Sequence, residues 1–284
     1  MIRIGTCSWK YDSWQNLVYT NRDRNSYLQE YSTHFNTVEI DQWFWSLFPP
    51  DKAVMPQTSV VSNYTDAVPD NFKFTIKIPN SITLTHFYRK HKQQALVANP
   101  HFLSLELMEC FIEKLQPMAS KIGILLFQFE YLNRQKMTSL VHFIDRIRPF
   151  FNALDRAFSY GLEIRNPNYL NHAYFAFLRE MGISHVFLQG YYMPDIAQIY
   201  NHFKDLLIHP VVLRLHGPGR SEIEEQSGGS WDKILQPKDD ELARITEIIQ
   251  DLNTRNLDSY INVNNHYEGS APLTIGKLRT LLDL

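Results

Sequence analysis

Short runs of apolar residues alternate along the chain with longer segments in which apolar residues recur at helical spacing. This alternation is typical of repeated βα units around a parallel sheet. Eight runs are dense in Val, Ile, Leu, Phe or Tyr: Ile2–Thr6, Thr37–Gln42, Phe72–Ile78, Ile122–Phe129, Ser159–Arg165, Ile183–Leu188, Val211–His216 and Tyr260–Asn264. Eight parallel strands close a barrel of roughly 250 residues. We therefore predict an α/β fold, a single (β/α)₈ TIM barrel over residues 1–284.

Residues typical of helix ends stand between these runs. Asn99 is typical of an N-cap, Asn171 opens a further helix, and Gly182 closes it. A stripe of apolar residues from Leu242 to Leu252 has helical spacing, and Pro272 precedes a last helix. The segments between the strands are therefore predicted to be the outer helices of the barrel.

Two connections exceed the minimal βα unit, residues 79–98 after the third strand and 217–232 after the seventh. Long loops after barrel strands usually serve the active face. The second loop is predicted to act as a lid because it is rich in glycine. Its glycines are Gly217, Gly219, Gly228 and Gly229. It is not a P-loop, since no Gly-Lys-Ser/Thr follows.

Polar residues occupy alternate positions in five of the predicted strands. Barrel strands are buried on both faces, and their side chains alternate between the helices and the lumen. The polar sets are Glu39 with Asp41; Lys73 with Thr75 and Lys77; Glu163 with Arg165; Arg214 with His216; and Asn262 with Asn264. We expect them to point into the lumen, in the C-terminal half of each strand, where barrel enzymes build their sites.

The same residues have a purely structural explanation. A buried lattice of ion pairs, such as Glu39 with Arg165 or Glu163 with Arg214, would stiffen the barrel without touching a ligand. Replacing such pairs by apolar residues is often neutral or stabilising. Stability alone therefore explains five polar strands poorly, and we favour a functional site.

The tryptophans point to the same end of the barrel. All five follow predicted strands one, two and seven: Trp9, Trp14, Trp43, Trp45 and Trp231. Aromatic planes at a polar mouth suit stacking against a sugar ring, a base or a cation. The structural alternative is a hydrophobic cap on the barrel mouth.

The composition limits the classes of protein to which this chain can belong. The chain is 44% hydrophobic and 20% charged, which excludes a disordered or fibrous protein. Its net charge of −2 argues against a uniformly basic nucleic-acid binder, though not against a local basic patch. Two cysteines, Cys7 and Cys110, suit a reducing compartment, so we expect a cytoplasmic protein. No run approaches the roughly 20 apolar residues of a membrane span.

Taken together, several motifs resemble the YecE-like family, a domain of unknown function numbered seventy-two. They are Ile4–Trp9 with Trp14, Phe35–Ile40, Phe72–Pro79 with Thr85 and His86, Leu126–Gln128, Glu163–Pro167, Leu213–Gly217, and Asn264–His266 with Gly269–Pro272. The resemblance spans nearly the whole chain and implies a TIM barrel in a family whose role is not established. The chain departs from the family pattern at Asp41–Trp45 and at Pro218–Glu222.

Three residues are candidates for catalysis: Glu39, Glu163 and His266. The two carboxylates are expected beside cations that change their pKa values, which suits acid or base chemistry. A glycosidase would use the same two carboxylates, and their separation would decide its mechanism.

Cations near the carboxylates predict an anionic substrate. Lys77, Arg165 and Arg214 would form an anion-binding floor, since arginine binds phosphate or carboxylate through two nitrogens. The full set of candidate substrate-binding residues is Trp9, Trp14, Lys77, His86, Gln128, Arg165, Arg214, His216, Asn264 and Asn265. The favoured interpretation is an enzyme, a hydrolase acting on a phosphoester or sugar phosphate.

A divalent metal, Zn or Mn, is an alternative for the same mouth. The candidate ligands are His86, His216 and His266 with Glu39, Asp41 and Glu163. The nearby Lys and Arg residues oppose a divalent cation, and the histidines lack a diagnostic short spacing. His172, His202 and His209 are expected at the surface or at helix ends. No nucleotide cofactor is expected, because no Gly-x-Gly-x-x-Gly follows a strand.

The second function class is a binding protein without catalysis. Residues 86–92 interleave rings with positive charge, as a site for single-stranded nucleic acid does. A solvated loop is the structural alternative for this segment. The predicted partner is thus an anionic small molecule or a nucleic acid, with no membrane; the oligomeric state stays open.

Overall fold

In the computed structural model, which describes residues 1–89, 91 and 93–284, eight parallel strands close into a barrel. They are β1 (Ile2–Thr6), β2 (Thr37–Ile40), β3 (Lys73–Lys77), β4 (Ile122–Gln128), β5 (Tyr160–Glu163), β6 (Ser184–Gly190), β7 (Val211–Gly217) and β8 (Ser259–Val263). Each strand pairs with its neighbours in sequence, and β8 pairs with β1. The predicted barrel and its strands are confirmed, with no strand end displaced by more than two residues.

Helices surround the barrel. They are α1 (Tyr27–His34), α2 (Thr58–Asp66), α3 (Asn80–Thr83), α4 (Leu105–Leu115), α5 (Leu140–Asn152), α6 (His172–Met181), α7 (Ile196–Phe203), α8 (Arg220–Ser227), α9 (Asp239–Thr254) and α10 (Ala271–Leu281). Their apolar faces pack on the outer faces of the strands; Phe127 of β4, for example, contacts Phe150 and Phe151 of α5. Among the described residues, none of the helices combines the length and the apolar composition that crossing a bilayer requires.

The lumen is divided into two layers. Its lower part, toward the N-terminal ends of the strands, is filled by a small apolar cluster: Ile124, Leu126, Val186, Val212 and Tyr260. Two residues further along the strands, the inward positions become polar, as at Gln128, Arg214 and Asn262. The change from apolar to polar therefore occurs inside the barrel and places the polar groups near the C-terminal mouth.

Two members of the predicted polar sets lie outside the lumen, so the prediction for them was wrong. Lys73 is the first residue of β3, and its Nζ donates to the carbonyl oxygen of Ser120 (2.5 Å), at the end of the barrel away from the mouth. Asp41 follows the end of β2 and is exposed. Lys73 lies at the N-terminal end of its strand, below the polar layer, and Asp41 lies beyond the C-terminal end of its strand.

Asn99 does not cap a helix, contrary to the prediction. Helix α4 begins six residues later, where the Ser104 side chain accepts from the backbone N–H of Leu107 at 3.2 Å. The Asn99 amide instead donates to the carbonyl oxygens of Ser81 and Leu84, each at 2.7 Å. It therefore satisfies carbonyls at the end of α3.

The two long connections contain regular structure. Residues 79–98 include the single turn α3 and an antiparallel bridge between His86 and Ala98. Residues 217–232 include α8, which the sequence did not predict; Gly219 precedes it and Gly228 ends it in the left-handed conformation at φ 56°. Asn171 and Gly182 cap α6 as predicted, whereas Pro272 lies within the first turn of α10 rather than before it.

Candidate functional site

Arg214 lies at the centre of the polar layer and joins two carboxylates. Its Nε and Nη2 donate to the two oxygens of Glu39, each at 2.7 Å. Its Nη1 donates to Glu163 and to Oε1 of Gln128, the latter at 3.3 Å. All four side chains are buried, so strands β2, β4, β5 and β7 meet in one charged cluster.

This cluster keeps Glu163 ionised. Burial alone would raise the pKa of Glu163, but Arg214, Arg165 and Lys77 outweigh burial and lower it to about 2. The predicted pair of Glu163 with Arg214 is confirmed, whereas Glu39 pairs with Arg214 and not with Arg165. The structural explanation by ion pairs thus accounts for both glutamates.

Asn262 and Thr75 fix the remaining side of Glu39. The Asn262 amide donates to Thr75 Oγ1 at 2.9 Å and to Glu39 Oε2 at 3.3 Å. Both residues are fully buried in their strands. Arg214 and Asn262 therefore set the orientation of Glu39, and Thr75 holds Asn262 in place.

Arg165 extends from this cluster toward solvent. Its Nε donates to Glu163 Oε1 at 3.0 Å, and its guanidinium lies 4.8 Å from the ring centre of Tyr191. Its side chain is 28% exposed, and its Nη1 and Nη2 have no partner among the described residues. Nη1 and Nη2 of Arg165 can therefore donate hydrogen bonds to an anion.

Lys77, at the end of β3, is the second cation of the mouth. Its Nζ lies 3.9 Å from the ring centre of Phe44, and the residue is only 8% exposed. No carboxylate or carbonyl among the described residues accepts a hydrogen bond from this Nζ. Burial, followed by the charge of Arg214, lowers the pKa of Lys77 to about 8.

Arg165 and its stacking partner face an open cavity of about 840 Å³. Besides Gln128 and Arg165, its walls are formed by Phe44, Tyr88, Glu130, Tyr131, Pro167, Asn168, Tyr191, Tyr192 and Met193. Glu130 is paired with Lys136 at 2.5 Å, so it adds no net negative charge. The cavity is therefore aromatic on its sides and bordered by the N–H groups of Arg165.

One residue of this wall has an unusual backbone conformation. Tyr191 has φ 52°, a conformation uncommon for a bulky side chain, and it follows Gly190 at φ 122°. The Tyr191 N–H donates to the Gly217 carbonyl at 2.8 Å, which holds the strained residue beneath Arg165. Gly217 itself has φ 77°, and a Cβ there would lie 2.4 Å from the His266 carbonyl oxygen.

His216 and Cys7 form a buried pair next to the cluster. Cys7 Sγ lies 3.6 Å from His216 Nε2, and Tyr191 Oη lies 3.3 Å from His216 Nδ1. Burial, with the cations Arg214 and Arg165, holds the pKa of His216 well below its usual range. Burial, with Glu39, raises the pKa of the Cys7 thiol. Neutral imidazole and thiol are therefore the stable forms.

His266 lies across the mouth, under helix α8. Its Nε2 is 3.3 Å from Glu224 Oε1, and its ring meets Trp231 edge to face at 5.1 Å. Glu224 also accepts from Arg220 Nε at 2.7 Å. Burial, followed by Arg220, lowers the pKa of His266. These contacts hold α8 against the end of the barrel.

The other candidate residues are placed as follows. His86 Nδ1 lies 2.9 Å from Thr85 Oγ1. Asn264 and Asn265 accept from backbone N–H groups of His266 and Ala271, each at 2.9 Å, and so shape the loop after β8. Among the described residues, no three His, Cys, Asp or Glu side chains are grouped to hold a metal ion. The three histidines of the metal hypothesis have separate partners.

The tryptophans have different environments. Trp14 is fully buried, and Trp9 packs edge to face on Tyr64 at 4.9 Å. These two form part of the hydrophobic core. Trp45 is 63% exposed beside Tyr88, at a ring distance of 5.7 Å. Structural packing thus accounts for Trp9 and Trp14, while Trp45 is largely exposed and packs only on the rings of Phe44 and Tyr88 among the described residues.

The aromatic wall of the cavity was not among the residues predicted from the sequence. Tyr131, Tyr191 and Tyr192 lie in the loops that follow β4 and β6. Their position directly after a predicted strand was the available signal, since that position marks the mouth of a barrel. Lys90 and Lys92 of the predicted basic segment lie outside the described residues.

Comparison with known proteins identifies the family. Residues 3–284 match the family described as "Protein of unknown function DUF72". Over 170 residues the chain is 28% identical to the UPF0759 protein YecE of Escherichia coli K12. The match covers 60% of this chain and 50% of that protein, so the chain spans about half the length of the curated relatives it matches.

Two solved structures share the fold. A DUF72 protein of Enterococcus faecalis is 20% identical, with a TM-score of 0.70 over 100% of this chain and 96% of that one. A DUF72 protein of Thermotoga maritima is 18% identical, with a TM-score of 0.69 over 100% of both chains. These likenesses agree with the barrel described above, and the match over nearly all of its length makes this chain a member of the DUF72 family.

Proposed function

We propose that this protein is an enzyme that binds a small anionic substrate, a phosphoester or sugar phosphate, in the mouth cavity. The environment of Arg165 supports this proposal most strongly. Glu163 fixes its Nε, Tyr191 supports its plane, and its two other nitrogens face the cavity without a partner among the described residues. A guanidinium held in this way is suited to bidentate binding of phosphate or carboxylate.

The cavity walls support a substrate with a ring. Tyr131 and Tyr192 are 60% and 95% exposed, and both border the cavity. Exposed aromatic side chains offer flat apolar faces that suit stacking on the C–H face of a sugar ring or on a planar group. The strained backbone of Tyr191 also supports a functional role, since such strain is concentrated at binding and catalytic sites.

Hydrolysis further requires a group that gives or takes a proton. Glu163 is a poor general acid because its pKa lies at about 2, and we assign it to the orientation of Arg165 and Arg214. His266 suits proton transfer better, since its side chain is 15% exposed and its lowered pKa leaves it neutral near pH 7. We propose His266, assisted by Glu224, as the acid or base.

The free thiols of Cys7 and Cys110 suit the cytoplasm.

A thermal-shift screen tests the proposal. Sugar phosphates, nucleotides and carboxylates would be added to wild type, to Arg165→Ala and to Arg179→Ala. Arg179 is exposed at the opposite end of the barrel and serves as the matched control. We expect at least one anion to raise the melting temperature of wild type and the control but not of Arg165→Ala. A panel without effect on wild type would contradict the proposal.

Turnover is tested on the same compounds. Release of inorganic phosphate should fall in His266→Gln, while the anion should still raise the melting temperature of that variant. Release that is unchanged by this substitution would remove His266 from the mechanism.

A binding protein for single-stranded nucleic acid is the second candidate. The exposed pair Trp45 and Tyr88 at the rim favours it, because bases stack on such rings. A labelled oligonucleotide should then bind with strong salt dependence. Substitution of Arg89, Lys90 and Lys92 by alanine should weaken binding, while Glu163→Gln should not. Binding that is unchanged by substitution of the three basic residues would reject this candidate.

A further inference from the structure

Lys77 is an amine that the mechanism above does not use. It lies at the C-terminal end of β3, where barrel strands deliver reactive groups to the mouth. Its Nζ touches the face of Phe44, a residue that also borders the cavity. A lysine that is 8% exposed normally has a carboxylate partner, yet none of the nearby carboxylates hydrogen-bonds to this one.

The neighbouring carboxylates are committed elsewhere. Both oxygens of Glu39 accept from Arg214, and the oxygens of Glu163 accept from Arg214 and Arg165. Asp41, beyond the end of β2, acts on Lys77 only through its charge. The guanidinium groups therefore take the carboxylate acceptors, and the amine is left beside an aromatic ring.

We propose that the Lys77 amine is a nucleophile that condenses with an aldehyde or ketone group of the anionic substrate to form an imine. A bond forms between Nζ and the carbonyl carbon while the carbon–oxygen double bond breaks. The carbonyl oxygen leaves as water with the two hydrogens of the neutral amine. No oxidant or reductant is needed, and addition of water reverses the step.

The electrostatics of the site agree with this geometry. Burial and Arg214 favour the neutral amine, while Glu39, Glu163 and Asp41 favour the ammonium ion, and the pKa of Lys77 is lowered to about 8. A surface lysine has a pKa near 10.4, so at pH 8 far more of Lys77 is in the nucleophilic form. The proposal depends on the proposed function only for the anionic group of the substrate, which Arg165 would bind.

Reductive trapping tests the imine. Wild-type protein would be treated at pH 8 with cyanoborohydride and either glyoxylate, an anionic aldehyde, or acetaldehyde, a neutral one. Cyanoborohydride reduces imines to stable amines, so peptide mass spectrometry can count carboxymethyl or ethyl groups on each lysine. We expect Lys77 to be modified roughly tenfold faster than Lys52, an exposed lysine of the loop after β2.

Variants separate the two proposals. Arg165→Ala should slow modification of Lys77 by glyoxylate but not by acetaldehyde, whereas Arg179→Ala should change neither. If Lys77 reacts rapidly with both aldehydes and Arg165→Ala has no effect, the imine proposal stands and the anion site fails. If Lys77 reacts no faster than Lys52 with either aldehyde in folded wild type, the imine proposal is overturned, whatever Arg165 binds.

Discussion

At the scale of single residues, charge balance around Arg214 controls the interior of the barrel. The buried guanidinium of Arg214 pairs with two buried carboxylates and so neutralises each only in part. The guanidinium of Arg165 supplies the second positive charge. Buried charges are tolerated only when they are paired and hydrogen-bonded. The polar layer is therefore a unit in which the loss of one member affects all the others.

Replacing Arg214 alone should be severe. Arg214→Met leaves Glu39 and Glu163 buried without their main partner, so we expect a loss of about 3–5 kcal/mol in the free energy of unfolding. Adding Glu39→Gln and Glu163→Gln to this variant should recover much of the loss, because the uncompensated charge is removed. Denaturation by urea measures both effects. Equal stability of wild type and Arg214→Met would contradict the described pairing.

The state of Lys77 predicts a dependence of stability on pH. Its pKa is about 8 in the folded protein and near 10.4 when unfolded, so between these values the unfolded chain binds more protons. Stability should therefore rise with pH across this interval. Relative to Lys77→Met, wild type should gain roughly 1–2 kcal/mol between pH 7.5 and 9.5. Parallel pH profiles for the two proteins would show that Lys77 has an ordinary pKa.

At the scale of elements, α8 is the part of the mouth best suited to move. It carries only Ile223 into the core and is bounded by Gly219 and Gly228, where an added Cβ would contact nothing within 4 Å. Glu224 adds a polar contact with the loop after β8 through His266. The predicted lid is therefore a short helix between glycines rather than an irregular loop.

Release of this contact should be measurable by hydrogen exchange. Glu224→Gln weakens a partly exposed ion pair worth about 0.2–1 kcal/mol, so amides of residues 220–227 should exchange up to roughly fivefold faster. Glu225→Gln is the control, since Glu225 is exposed on the same helix and its side chain makes no ion pair or hydrogen bond with another described residue. Equal exchange in both variants would show that Glu224 does not hold α8.

Some elements could be predicted from local sequence, and others depended on distant contacts. Asn171 and Gly182 act through their own helix, so local rules found them. Asn99 has the same local signature but binds carbonyls of α3, and Ser104 takes the capping role. The helical structure of α8 was missed because its glycine boundaries and polar composition are typical of a loop.

At the scale of the whole molecule, the barrel lumen separates apolar packing from buried charges. Apolar residues fill the lower lumen, and charged residues occupy the upper lumen. The period of two placed Glu39, Glu163, Arg214 and Asn262 in the lumen from sequence alone. Their partners could not be predicted, because the alignment of distant strands around the barrel decides which side chains meet. The aromatic wall was missed because loop directions are set by the folded chain.

Small molecules retained from a cell extract can show whether Arg165 makes the mouth an anion site. Immobilised wild type, Arg165→Ala and Arg179→Ala would be equilibrated with the extract, washed and eluted, and the eluted compounds compared by mass spectrometry. We expect an anionic, ring-containing compound on wild type and Arg179→Ala that is absent from Arg165→Ala. If all three proteins retain the same compounds, or wild type retains no anion, Arg165 does not make the mouth an anion site.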